Sequence, residues 1–139
     1  MKASIKSDYA CRAMEALALH YPNPQPLCIE EIARSRRIPP NYRVQILLEL
    51  KRNGLIQSRR GKMGGYVLSR APQQITLGDV LHAVQGEVID LSSLSKPDCP
   101  EEIKAAWRHV KTAAENAANG ITFEQICAAS RHSSPMYHI

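Results

Sequence analysis

Residues 28–68 read CIEEIARSRRIPPNYRVQILLELKRNGLIQSRRGKMGGYVL, and this stretch decides the fold. Apolar residues recur at helical spacing on both sides of Pro39 and Pro40, which mark a tight turn between two short helices. Pro40 suits the first position of the second helix because its missing N–H would have no partner there. Gly54 fits the end of that helix, where a glycine commonly follows the last turn. The pattern predicts a helix-turn-helix.

A β-hairpin is predicted immediately after these helices. Segments 55–56 and 66–68 are rich in β-forming residues and flank the basic, glycine-rich turn RRGKMGG at 59–65. We expect the glycines of this turn to supply positive φ angles, at Gly61, Gly64 and Gly65. A helix-turn-helix that is followed directly by a basic hairpin predicts a winged helix.

Further helices flank this pattern. Residues 7–20 and 75–86 carry apolar side chains at helical spacing, whereas residues 87–98 have no regular pattern. Cys28 stands where Ser or Thr would cap the helix that follows, and Glu31 could complete a capping box with it. The predicted fold class is therefore mainly α with a small β-hairpin.

A long helix is predicted from Pro100 to Asn119. Its apolar residues form an a/d seam at spacings of four, three, four and three residues, namely Ile103, Trp107, Val110, Ala114 and Ala117. A second copy of the chain is the simplest partner for this seam, so we expect a homodimer. The alternative is that the seam packs on its own domain. The chain then divides into a winged-helix domain, 1–86, and a dimerisation helix with a C-terminal tail, 87–139.

The whole chain has a formal net charge of +5. Its positive charge is concentrated in the first half. Residues 1–70 hold 13 Lys and Arg against 5 Asp and Glu, a net charge of +8. Residues 71–139 hold 5 Lys and Arg against 8 Asp and Glu, a net charge of −3. This division favours a polyanionic partner for the first half, and double-stranded DNA fits a winged helix best.

The predicted DNA contacts lie on the third helix and on the hairpin. The N-terminal part of the second helix in a docked helix-turn-helix enters the major groove, where amides pair with adenine and guanidinium groups with guanine. Basic residues of a hairpin can reach a minor groove or its phosphates. The predicted contact residues are Asn41, Tyr42, Arg43, Gln45, Arg52, Arg59, Arg60 and Lys62.

Other classes of protein are disfavoured. The sequence has no GxSxG, P-loop, HExxH or dinucleotide-binding motif, so we expect no enzyme. It has no apolar run near the ~18 residues of a membrane span and no signal-peptide core, so we expect a cytoplasmic protein without a membrane partner. Its four cysteines show no metal-finger spacing, which predicts free thiols and no metal site. The dense basic charge argues against an adaptor that binds proteins alone.

Nearly the whole chain resembles the regulator family that includes the iron–sulfur cluster regulator IscR, the nitrite-sensitive repressor NsrR and the cysteine metabolism repressor CymR. The similarity is carried by residues 1–14, 29–72 and 75–88, in which the wing RRGKMGGYVL is the most specific piece. The resemblance implies a winged helix, a long dimerisation helix and two-fold binding to palindromic operators. It matches Arg60 to a wing arginine placed in DNA and Tyr42 to a recognition-helix tyrosine. A base-reading glutamate of the cluster regulator falls at Val44, so the operator sequence is not carried over.

Many members of this family hold an iron–sulfur cluster with three cysteines between the wing and the long helix. The matching stretch here, GEVIDLSSLSKPDCPEE, contains one cysteine, Cys99. Asp8 matches a carboxylate ligand of the nitrite-sensitive branch, but a cluster needs about four ligands. We therefore predict no cofactor, and we interpret Cys11 and Cys127 as core residues. The alternative is an iron–sulfur or thiol-based redox sensor with an atypical ligand set, in which Cys99 at a helix N-terminus is the candidate thiol.

The C-terminal tail favours the cluster-free cysteine metabolism repressor branch. A short last helix, FEQICAA, precedes a tail that ends Met-Tyr-His-Ile, similar to the Met-aromatic-aromatic-Ile end of that branch. The resemblance implies cysteine synthase as a partner, a PLP enzyme whose active site accepts peptides ending in isoleucine, and contacts through Tyr137 and Ile139. The alternative is a tail that packs on the dimer or frays. The predicted function is a homodimeric repressor connected with sulfur and cysteine metabolism.

Overall fold

The computed structural model describes residues 4–137, with side chains described as far as residue 132. This part contains six α-helices and one antiparallel pair of strands, in the order α1 Ile5–His20, α2 Ile29–Arg36, α3 Pro40–Arg52, β1 Ile56–Arg59, β2 Gly65–Leu68, α4 Leu77–Gln85, α5 Glu101–Asn119 and α6 Phe123–Tyr137. Short 3-10 turns lie at Pro72–Gln74 and Ser92–Ser95. The predicted fold class is confirmed.

Helix α1 is the centre of the core, because α2, α3, α4 and α6 all pack against it. It begins at Ile5, before the start that the apolar pattern indicates, because the Ser4 hydroxyl accepts a hydrogen bond from the Ser7 backbone N–H at 3.0 Å. Side chains of α1, α2 and α3 meet in this core, and Met14, Leu17, Ile32, Ile46 and Leu50 are each at most 2% exposed. Burial of this apolar surface holds the three helices together.

The two ends of α2 are set by different means. At its C-terminal end, Arg37 adopts a left-handed conformation with φ of 54°, and Pro40 opens α3 as predicted. At its N-terminal end, the predicted capping box at Cys28 is wrong. The Cys28 side chain accepts no backbone hydrogen bond, and its Sγ donates instead to Glu31 Oε1 at 3.4 Å. Sulfur is a weak acceptor, so a thiol does not replace the capping hydroxyl.

Strands β1 and β2 form the predicted hairpin, residues 56–68, which we call the wing. Arg59 pairs with Gly65 beside the turn, and Ile56 pairs with Leu68 at the open end of the ladder. Leu27 adds one residue of pairing, because it exchanges two backbone hydrogen bonds with Tyr66, at 2.8 and 3.0 Å. The base of the wing is therefore fixed to the segment that leads into α2.

The wing glycines serve two different purposes. Gly61 has a φ of +113°, as predicted, but Gly64 and Gly65 have no positive φ. A Cβ on Gly64 would lie 2.6 Å from the carbonyl oxygen of Arg59, and one on Gly65 would lie 2.5 Å from the carbonyl carbon of Leu27. Close approach of neighbouring backbone, not a left-handed conformation, explains glycine at these two positions.

Replacing Gly65 with alanine should therefore destabilise the protein. The added methyl group meets backbone that cannot rotate away, and overpacking of this kind costs roughly 1–3 kcal/mol of unfolding free energy. Chemical denaturation followed by circular dichroism measures this change. The control is Ser58→Ala at an exposed position of β1, which should change stability by less than about 0.5 kcal/mol. Equal stability of the two variants would contradict the close approach to Leu27.

Helix α6 returns to the core after α5. The N–H of Leu77 donates to the Ile121 carbonyl at 2.8 Å and that of Phe123 to the Ile75 carbonyl at 2.9 Å. Phe123 and Cys127 are at most 1% exposed and belong to the same core as α1. The helix runs to Tyr137, so its backbone extends beyond the predicted FEQICAA segment. The domain boundary at residue 86 stays a prediction.

Helix α5 is held to the core at its C-terminal end and is otherwise open. Of the residues in Glu101–Asn119, all of which the structure describes, only Ala118 is buried. Gly78 of α4 lies against Asn119, whose amide would collide with a Cβ at that position. None of the helices within residues 4–137 combines the length and the apolar character that crossing a bilayer requires.

Candidate nucleic-acid interface

Helix α3 presents one exposed stripe to solvent along its whole length. Ile46, Leu47 and Leu50 face the core, and the residues on the opposite side recur at helical spacing. We call these residues the outer stripe: Asn41, Val44, Gln45, Leu48 and Arg52. Three of the predicted contact residues, two amides and one arginine, therefore share a face that a DNA groove can reach.

Two other predicted residues of α3 lie beside this stripe and are half-buried. The ring of Tyr42 packs against that of Tyr9, with centroids 5.1 Å apart. Arg43 Nε donates to the Ile38 carbonyl at 3.0 Å, which ties its guanidinium group to the turn before α3. Both side chains brace the start of the helix, and their contacts with DNA stay predictions.

The only acidic residue of α3 carries a compensated charge. Glu49 Oε1 accepts hydrogen bonds from Lys6 Nζ at 3.1 Å and from Gln45 Nε2 at 3.2 Å. No further acidic residue follows in the sequence before Asp79. The surface of α3 and the wing is thus free of unpaired negative charge that would repel a polyanion.

The wing presents its basic residues at the turn. Arg59, Arg60 and Lys62 are exposed, and Met63 beside them is 68% exposed. Arg59 Nη1 donates to Gln57 Oε1 at 2.9 Å, which orients this side chain along the strand. The structure thus places the three predicted wing contacts together at one end of the hairpin.

The cations of α3 and the wing differ from most others in the molecule because they lack carboxylate partners within residues 4–132. Residues 34–62 hold nine Lys and Arg side chains, and only Arg36 has a carboxylate partner within 4 Å among the described residues, Glu15. The described part of the chain holds eight cations elsewhere, and seven of these are paired: Lys6, Arg12, Arg70, Lys104, Arg108, Lys111 and Arg131. The exception is Lys96. Unpaired positive charge is therefore concentrated on the end of α2, α3 and the wing.

Two of the four thiols are held in the protonated form. Burial, with a smaller contribution from the Asp8 carboxylate, raises the pKa of Cys11 to about 11. Burial also raises the pKa of Cys127, which is fully enclosed in the core. Cys127 is a core residue, as predicted, whereas Cys11 is partly buried and packs against the core. Cys28 and Cys99 are partly exposed.

The residues expected at a cluster site do not come together. Within the described residues, no three His, Cys, Asp or Glu side chains lie close enough to share a metal ion. The Asp8 carboxylate pairs with Arg12, at 2.7 Å between Oδ2 and Nη2. Cys99 has the Pro100 carbonyl as its hydrogen-bond partner, at 3.8 Å from Sγ. The donor set of the described residues does not fit an iron ion or an iron–sulfur cluster.

The residues of the predicted seam on α5 differ in their exposure to solvent. Trp107 and Ala114 are half-buried on the side nearer the chain's own domain, whereas Ile103 and Val110 are 46% and 42% exposed. Smaller side chains on the same side as Val110 continue the exposed surface. We call this surface the α5 face: Ile103, Ala106, Val110, Ala113 and Ala117.

The predicted partner-binding residues of the tail are Tyr137 and Ile139. Tyr137 ends the backbone of α6, but its side chain and all of Ile139 lie outside the described residues.

The sequence interpretation placed no aliphatic residue among the predicted DNA contacts. Val44 is 70% exposed and Leu48 is 42% exposed on the outer stripe. The signal was present, because both residues lie three residues after a polar member of the same stripe and opposite the buried face.

Comparisons with known proteins agree with this geometry. A Synechocystis protein named as an HTH-type transcriptional regulator is 40% identical over 85 residues, which cover 61% of this chain and 57% of that relative. IscR of Vibrio campbellii is 32% identical over 131 residues, which cover 91% of this chain and 77% of that protein. The structure of CymR, the global cysteine regulator of B. subtilis, superposes with a TM-score of 0.81 at 26% identity, covering 93% of this chain and 98% of CymR.

The predicted family is confirmed by the extent of the match. Residues 3–129 match the Rrf2 family, which is described as an iron-dependent transcriptional regulator. The relatives are named as regulators of transcription, in agreement with the absence of an enzyme motif in the sequence. The chain belongs to the Rrf2 family of DNA-binding transcriptional regulators.

Proposed function

We propose that this chain is a cytoplasmic, non-enzymatic, homodimeric repressor that binds palindromic DNA operators without an iron–sulfur cluster. The observation that carries the proposal is the concentration of unpaired cations between Arg34 and Lys62. Seven of the eight Lys and Arg side chains that the structure describes outside 34–62 are neutralised by carboxylates, so the field of the protein attracts a polyanion to α3 and the wing. The unsuitable donor set described above supports a regulator that works without a cluster.

The proposed docking places α3 in the major groove and the wing beside it. Asn41 and Gln45 on the outer stripe can pair with adenine edges, and Arg59, Arg60 and Lys62 can reach phosphates or the minor groove. Arg52, at the far end of the same stripe, is positioned to meet the phosphate backbone. Tyr42 and Arg43 then hold α3 in register with the rest of the domain.

Dimerisation through α5 would set the spacing of the two half-sites. Two recognition helices related by two-fold symmetry bind half-sites about 34–36 Å apart when both enter one face of the duplex. The close contact of Gly78 with Asn119 joins α5 to α4, so the position of the dimer axis is coupled to the winged helix. In this proposal, 1–86 is the DNA-binding domain and 87–139 supplies the dimer contact.

Capture of genomic DNA fragments by the purified protein tests this function. We expect sequencing to recover a shared palindrome, with enrichment that falls steeply between 50 and 200 mM salt because phosphate contacts release counterions (about 10³-fold or more for six contacts). Palindromes upstream of sulfur and cysteine genes would support the regulatory role that we propose by similarity to CymR. No enrichment at low salt would overturn the proposal.

Cysteine synthase is the protein partner that we propose for the tail. Support comes from the tail sequence Met-Tyr-His-Ile, whose isoleucine suits an apolar pocket. The contacts would be made by Tyr137 and Ile139.

A further inference from the structure

We propose that Val44 reads thymine in the operator by packing against the 5-methyl group of the base. The inference rests on the proposed DNA binding and adds a base preference to it. In DNA, the 5-methyl group is the one apolar feature that a base edge presents in the major groove. An apolar side chain at the centre of a recognition surface can therefore contribute sequence preference through that group alone.

The first observation is the position of Val44. It lies between Asn41 and Gln45 on the outer stripe, in the part of α3 that enters the groove in the proposed docking. At 70%, it is the most exposed large hydrophobic residue among those the structure describes. Single exposed apolar residues are common on protein surfaces, so exposure alone assigns no role. Its two amide neighbours on the same stripe are what point to a base edge.

The second observation is the chemistry of the side chain. A β-branched residue in a helix has one strongly preferred χ1 rotamer, so the two methyl groups of Val44 are held in a fixed direction. Valine has no hydrogen-bonding group, and covering the amino group of cytosine would leave that donor without a partner. Thymine instead offers a methyl group for the contact. Val44 therefore favours thymine over cytosine at the position that it covers.

The neighbouring amides support the same base pair. Asn and Gln pair bidentately with adenine, and adenine is the partner of thymine. Asn41 and Gln45 lie three residues before and one residue after Val44, so one turn of helix presents groups suited to adenine and thymine together. The stripe therefore reads an A·T-containing core in each half-site.

The surrounding charge favours DNA, and not a protein, as the partner that contacts Val44 and Leu48. Val44 and Leu48 could in principle dock against an apolar protein surface. Arg52 lies on the same stripe, Arg37 at the end of α2 and Arg60 on the wing, and none of the three has a carboxylate partner within the described residues. A protein partner would have to supply several acidic groups there, whereas a duplex supplies phosphates on both sides of the groove.

The test uses deoxyuridine, which differs from thymidine by loss of the 5-methyl group. A duplex is first selected from a random-sequence pool by the full-length protein, and each thymine is then replaced symmetrically in both half-sites. We expect one replacement to lower wild-type affinity about 15-fold, that is about fourfold for each methyl contact. The Val44→Ala variant should lose affinity for the thymine duplex and should not respond to the same replacement.

Leu48→Ala is the matched control on the same stripe. It should keep the wild-type response to deoxyuridine at the position assigned to Val44. Circular dichroism checks that both variants fold, which alanine in a helix favours. Failure to select any duplex would overturn the proposed function. The other outcome is a selected duplex in which no thymine replacement affects the wild type and the Val44→Ala variant differently. That result would overturn the inference and leave the proposed function standing.

Discussion

Replacing Arg59 and Arg60 together with alanine should lower the affinity of the dimer for its operator by roughly 10³-fold. Each arginine contributes one charge-assisted contact in each half-site, and four such contacts at roughly five- to tenfold each give a loss of this size. The loss should appear mainly in the salt-dependent part of the binding energy, because the wing meets phosphates or the electronegative minor groove.

The slope of affinity against salt distinguishes loss of contacts from misfolding. Each phosphate contact contributes about 0.9 to the slope of log affinity against log salt, so loss of four contacts should reduce the slope by about 3.6. Fluorescence anisotropy with the selected operator, at several salt concentrations, measures both quantities. A misfolded wing would weaken binding without this defined change in slope, and circular dichroism would report it independently.

The control for this variant removes equal charge from the other half of the chain. Lys96 is exposed without a carboxylate partner among the described residues, and Arg131 pairs with Glu124 on α6. The double variant Lys96→Ala, Arg131→Ala should bind within about twofold of the wild type, because neither residue belongs to a groove-facing element. If the wing variant kept the affinity and the salt slope of the wild type, the wing would not contact DNA. That result would favour a protein-binding adaptor.

Local sequence signals were sufficient to predict the helix-turn-helix and the wing. Pro40 fixes the start of α3 and the alternation around the glycine-rich turn fixes the hairpin, and each signal acts over a few residues. The a/d seam predicted the long helix and its role in dimerisation, and the resemblance agreed with it. These features depend on backbone conformations that the residues themselves impose.

Features that depend on distant partners could not be predicted in this way. Gly65 is required because Leu27, far away in the sequence, lies against it. The return of α6 to the core depends on pairing of residues 75–77 with 121–123. Neither contact leaves a periodic pattern, since each joins segments whose local sequences are compatible with several arrangements.

The same limit applies to the candidate DNA contacts. In the sequence, Arg36 and Arg60 both belong to the nine Lys and Arg residues between 34 and 62, and only Arg60 of the two is predicted to contact DNA. In the structure, Arg36 Nη1 is bound to Glu15 Oε1 at 2.6 Å, whereas Arg60 has no carboxylate partner within the described residues. Ion pairing depends on which helices are neighbours, so the carboxylate partner of Arg36 could not be predicted from the sequence.

Placing a carboxylate at Val110 should convert the proposed dimer to a monomer. The α5 face is apolar, and its three alanines allow two copies of the helix to approach closely around Ile103 and Val110. The Val110→Glu variant would bury two unpaired carboxylates near the two-fold axis, which is strongly unfavourable. The monomer itself should fold normally, since Val110 is exposed in the single chain. Sedimentation equilibrium measures the change in mass.

Loss of the dimer should also lower operator affinity, by roughly 10²–10⁴-fold, because the second half-site is no longer bound as an intramolecular event. Thr112→Glu is the matched control, since it adds the same charge on the side of α5 away from the α5 face and at an exposed position. This variant should remain dimeric and bind normally. A Val110→Glu protein that stayed dimeric would move the interface away from α5. A monomeric variant with unchanged affinity would instead contradict the two-fold operator, because a single recognition helix would then account for all the binding.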